Sequence, residues 1–225
     1  MADRVWNAAL TYLRLVGHHE YRNATELLDD VVQDEGLGAV NDAIAAVCRS
    51  LLDRVTFAPG TIDVNAAVDA LAHEIVAVAQ RHGEDEIDRQ RALIVYLGSE
   101  GLPCLARTQV ASWAPMELLG TLVACMLGLV GIVSEREDTT LTDVVSSITP
   151  PRTPTAALGT FGLAWRGEHG AEPFAGAIPK GYAPHITFLG DGTCSLRELF
   201  ARVAYLRDER QVVTVPTTPQ SLQST

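Results

Sequence analysis

Lysine is almost missing from this chain: Lys180 is the single one among 17 basic side chains, against 28 acidic ones and a formal net charge of −11. Nucleic-acid backbones and anionic lipid surfaces attract clustered Lys and Arg, so this balance argues against direct nucleic acid or a membrane surface as the main partner. Paired cysteines are missing too. Cys48, Cys104, Cys125 and Cys194 form no C-x-x-C motif, and Cys48 and Cys125 sit in apolar stretches where a thiol packs as a small hydrophobe. A reducing compartment is expected, and the opening MADRVWNAAL has early charges and no apolar core of a secretory signal. The expected location is cytoplasmic, or inside an intracellularly assembled particle. There is no P-loop, no G-x-G-x-x-G and no G-x-S-x-G elbow, and no repeat at a fixed period, which removes the common nucleotide, nucleophile-elbow and solenoid patterns.

What the chain does have is apolar content. Hydrophobic residues make up 47% and charged residues 20% of 225 residues, enough for one sizeable core. The charge is unevenly placed: residues 1–150 hold 22 acidic and 10 basic side chains, and residues 151–225 hold 6 and 7. One run, Leu118 to Ser134, is free of charge for 17 residues, at the lower edge of what a bilayer requires. Gly120, Gly128 and Gly131 dilute it and Glu117 and Glu135 clamp its ends, so it reads as a buried central helix.

Helical periodicity dominates to about residue 148. Val40, Ile44, Val47, Cys48, Leu51 and Val55 form one apolar stripe, and Val64, Val68, Leu71, Ile75 and Val78 a second. Asn23 to Glu26 has the form of a capping box, Asp63 that of an N-cap, and Thr140 to Asp143 that of a further helix start. Breaks at Gly36–Gly38, Pro59-Gly60, Gly83, Gly101–Pro103 and Pro115 predict six or so helices. The texture changes at Pro150-Pro151: eight of the eleven prolines and eight of the eighteen glycines lie beyond residue 149. Phe161, Leu163 and Trp165, then Ile186 and Phe188, then Val213 and Val215 alternate as short strands do. Ser195 to Glu198 is a capping box that predicts a helix over about 196–209, and residues 216–225 read as a tail. The expected fold is mainly α: a helical-bundle domain over 1–149, then a Pro/Gly-rich, partly extended or short-stranded segment over 150–225 with one helix.

Chemical motifs are few. Pro184-His185-Ile186-Thr187-Phe188-Leu189-Gly190 resembles one half of the His-x-Thr signature of two-histidine phosphoesterases, which implies His185 as a catalytic acid or base. A second copy, which that chemistry needs, does not occur. Leu27 to Glu35 resembles the Asp-rich helix of isoprenyl diphosphate synthases, but Gln33 holds the position where a carboxylate is needed. His18, His19 and Glu20, the pair Asp69 and His73, and the pair His82 and Glu86 have the residue types of metal ligands. Asp69 with His73 reads instead as a surface ion pair, and no metal or cofactor is expected. Cys194, just before a capped helix, is placed where a thiol could be reactive.

By elimination the chain reads as a non-catalytic interaction or assembly protein. Its C-terminal segment would pack on a protein partner or on copies of itself, as in a large particle such as a virion. Phe161, Trp165, Phe174 and Tyr182 are the expected anchors, because a Gly/Pro-rich stretch buries aromatics poorly alone. The alternative is a small, phosphoesterase-like hydrolase using His185, with Arg166 or Lys180 as anion contacts.

Overall fold

A computed structural model describes residues 2–58, 60–80, 83–99, 105–150, 161–166, 183–188 and 193–200. Eight helices fill the first two thirds: α1 (Ala2–Gly17), α2 (Tyr21–Glu35), α3 (Leu37–Leu52), α4 (Val64–Val78), α5 (Glu84–Gly98), α6 (Leu105–Ala111), α7 (Pro115–Glu137) and α8 (Leu141–Ser147). A ninth helical stretch, α9, covers 196–200. The mainly α class is therefore as the periodicity implies; among the described residues eight helices precede residue 150, where six or so were expected.

The starts obey local chemistry where it is unopposed. Asp63 accepts the Ala66 N–H at 3.0 Å to begin α4, and Thr140 accepts the Asp143 N–H at 3.2 Å to begin α8. Pro115, read from sequence as a break, is the first residue of α7, where its missing N–H costs nothing. The capping box at Asn23 does not form. His19 takes a left-handed conformation at φ 61° that ends α1, and α2 begins at Tyr21, so Asn23 lies within the helix. There Glu26 is held by Arg22 one turn back at 2.8 Å, and the Asn23 amide donates to Glu20 instead.

Both predicted stripes face the core: Ile44, Val47, Cys48, Leu51, Val64, Val68, Leu71 and Ile75 are buried, and only Val78 at the stripe's end is exposed. The axis of the core is α7, which packs against α3, α4, α5 and α8. By length and composition α7 could cross a membrane, and 67% of its most apolar window is buried inside the protein. Its glycines make close packing possible. A Cβ on Gly128 would sit 2.8 Å from the Ile75 Cα, so α4 and α7 touch backbone to backbone.

Two short strands interrupt the helices, β1 (Thr56–Phe57) and β2 (Gly60–Asp63). The periodicity gave no sign of them, because each exists only through a distant partner. Strands β3 (Phe161–Arg166), β4 (Ala183–Phe188) and β5 (Cys194–Ser195) supply those partners: β1 pairs with β5, and β2, β4 and β3 form an antiparallel sheet in that order. β4 lies against α4.

The stretch 194–200 belongs to the helical core. Cys194, Leu196, Leu199 and Phe200 are buried, and the Leu196 N–H donates to the Val55 carbonyl at 2.9 Å. The predicted capping box is formed in both directions, with Glu198 N–H to Ser195 Oγ at 3.2 Å and Ser195 N–H to Glu198 Oε2 at 2.7 Å. A Cβ on Gly98 would lie 2.1 Å from the Phe200 ring, so only glycine at the end of α5 admits that ring. The rest of the expected 196–209 helix, and the tail over 216–225, lie outside the described residues.

Candidate functional site

Of the residues singled out from sequence, the three-stranded sheet holds Phe161, Trp165, Arg166 and His185. His185 stands in the central strand β4, in register with Asp63 of β2 on one side and Ala164 of β3 on the other. Asp63 is already engaged as the cap of α4. Pro184 has no N–H to give, and it is accommodated because β2 ends at Asp63, opposite His185, leaving Pro184 a neighbouring strand on one side only. Phe161 and Trp165 occupy the two halves of β3, opposite Phe188 and Pro184. Among the described residues no strand pairs with the outer edge of β3, which is a row of backbone donors and acceptors six residues long. Phe174, Tyr182 and Lys180 lie outside the described residues.

The other candidates are used locally. The His73 ring nitrogen donates to the Asp69 backbone carbonyl at 2.7 Å, while the Asp69 carboxylate pairs with Arg91 at 2.7 Å. This corrects the expected Asp69–His73 ion pair: Arg91 of α5, bringing a permanent charge, takes the carboxylate and leaves the imidazole the carbonyl one turn back. In the Asp-rich string, Asp34 and Glu35 pair with Arg4 of α1 at 2.7 and 2.9 Å. Two carboxylates in the last turn of α2 oppose the helix dipole, and Arg4 offsets them. The hydrogen bond to Asp34 in turn raises the Arg4 pKa above its ordinary range. His82 lies outside the described residues, and among those described no three His, Cys, Asp or Glu side chains gather as a metal would require. Cys194 is 1% exposed, and its thiol donates to the Ser195 carbonyl at 3.4 Å, so it faces packed protein.

One polar cluster had no sequence signal. Between α4, α5 and α7 lies a partly open cavity of about 40 Å³ lined by Val76, Ala79, Glu86, Arg89, Gln90, Thr121 and Ala124. The Gln90 amide donates to the Thr121 carbonyl at 3.1 Å, which turns its own oxygen away from that bond. Gln90 Oε1 and Glu86 Oε2 are both buried and accept no hydrogen bond from the protein. The i, i+4 spacing of these two is visible in sequence, but the packing of α5 against α4 and α7 that buries them is not.

No family model, no curated protein and no solved structure matches this chain.

Proposed function

We propose that this is a non-catalytic assembly protein that associates with copies of itself through the outer edge of β3. The observation that carries the reading is the edge itself. An edge strand of six residues, with no strand on its outer side among the described residues, offers the backbone hydrogen bonds of that side to another strand, and β3 alternates Phe161, Leu163 and Trp165 with smaller or charged residues. The same edge from a second copy can meet it antiparallel about a twofold axis, which closes the assembly at a dimer. The helical core behind it, completed by 194–200, is the rigid mount. A hydrolytic role for His185 has as its support only the seven-residue string and its register opposite Asp63.

Light scattering during size exclusion, on the full chain and on a Leu163→Lys, Trp165→Glu variant, tests this. The expected result is a dimer or larger species for the unmodified chain and a monomer with unchanged helical circular dichroism for the variant. A monomer in both, at concentrations an order of magnitude apart, would overturn the reading.

A further inference from the structure

We infer that the groove between α1 and α2 is a docking site for a basic amphipathic helix of a partner protein. Its shape is the first support. Arg4, Ala8 and Thr11 of α1, and Leu27, Val31 and Asp34 of α2, each follow the i, i+4, i+7 spacing of one helix face, and the two faces line a partly open groove of about 400 Å³. Ala8, in the middle of the α1 face, contributes only a methyl, so the space between the two rims stays open. Val31 is 5% exposed, and Ala8 and Leu27 are partly buried against the core, which makes the floor apolar. Arg4 spans the two helices at one end, bonded to Asp34 at 2.7 Å and to Glu35 at 2.9 Å. From Arg4 to Thr11 the helix rises about 11 Å, which gives room for two apolar side chains one turn apart on an occupying helix.

The charge selects the partner. Residues 2–35 carry seven acidic side chains and three arginines. Arg4 is committed to Asp34 and Glu35, and Arg22 to Glu26, while Arg14 does not line the groove. Asp30, on the α2 rim, is exposed and has no ion pair among the described residues. Its charge is open to a Lys or Arg brought from outside, and the acidic excess around it steers such a partner in from solution. An apolar floor beside an acidic rim is the complement of a helix that carries leucines at i and i+4 with basic residues flanking them. A second copy of the hairpin would bring the same acidic excess and be repelled. The groove shares no residue with β3, and the inference stands whether or not the β3 edge pairs.

The test is an amide-shift titration of the full chain with an acetylated helical peptide of about 14 residues, built on alanine with two leucines at i and i+4 flanked by lysines. Two companion peptides carry glutamate for lysine, or alanine for the two leucines. The peptide with both lysine and leucine should give saturable shifts confined to residues 4–11 and 27–34, with an affinity at least about tenfold above either companion. Asp30→Lys should weaken it about fivefold or more at low salt, because an exposed charge has been reversed. Ala8→Leu, which fills the groove and leaves the charge unchanged, should weaken it about tenfold. Helical circular dichroism should be unchanged in both variants; should Ala8→Leu fail to fold, the Asp30→Lys result decides. Shifts spread over the acidic surface, equal affinity for the peptide without leucine, or binding that survives either variant would overturn the proposal. The absence of saturable binding would do the same. So would shifts at these amides that follow protein concentration alone, which would assign the groove to a second copy, or saturation by n-butylammonium but not by the peptide, which would assign it to a small amine.

Discussion

Arg197 is buried with its side chain 1% exposed, and its Nη1 donates to the Asp53 carboxylate 2.7 Å away, joining positions 144 residues apart. A charge placed so deeply is tolerated only with its partner, so this pair fastens the 194–200 stretch to the end of α3. Asp53→Leu, which leaves the deeply buried Arg197 charge without that carboxylate, should cost about 3–5 kcal/mol by urea denaturation, and Arg197→Met less, because the Asp53 carboxylate it leaves behind is part-exposed. The double variant should lose much less than the sum. Additive losses would mean that the pair does not act as a unit.

Phe200 is the counterpart apolar anchor. Phe200→Ala should cost about 3–5 kcal/mol, since the ring is wholly buried. Gly98→Ala should cost about 1–3 kcal/mol by driving a methyl into that ring. Combined with Phe200→Ala, the Gly98 change should become nearly neutral, because the obstruction is gone. A cost that persists in the double variant would place the strain elsewhere.

Cys48 makes stability depend on alkaline pH. Burial, reinforced by the neighbouring Cys125 thiol, pushes its thiol well above the usual range. The unfolded chain releases that proton at an ordinary thiol pKa while the folded chain holds it. Above that pH the unfolded state binds fewer protons, so stability falls as pH rises, by about 1.4 kcal/mol per unit for one group. Below it the contribution is flat. Cys48→Ala should remove the slope, and denaturation midpoints measured from neutral to alkaline pH check this. An unchanged slope would assign it to other groups.

The caps are smaller and separable. Asp63→Ala should lose about 1 kcal/mol from the bond to Ala66, and Asp63→Asn only part of it, as midpoints in urea will report. Because Asp63 also stands in register with His185, the same variants show whether the start of α4 and the end of β2 melt together.

Much of this architecture was legible in advance. The stripes from Val40 and Val64, the caps at Asp63, Thr140 and Ser195, and the burial of the Leu118 to Ser134 run follow from periodicity and local hydrogen bonding. What escaped was non-local. Thr56 and Phe57 are strand residues only because Ser195 and Cys194 lie beside them. Asn23 failed as a cap because His19 had already turned the chain. At the sheet, the string around His185 announced a strand, whereas its pairing with Asp63 depends on a fold that brings residues far apart in sequence into register. The Glu86 and Gln90 cavity depends on how α5 packs against α4 and α7, which no spacing within α5 encodes.

The assembly account turns on β3, and amide hydrogen exchange of residues 161–166 followed across a range of protein concentration tests it most directly. If the outer edge of β3 pairs with a second copy, protection there rises with concentration while α3 and α7 stay constant. Protection of β3 that does not change with concentration, under conditions where the chain self-associates, would contradict it.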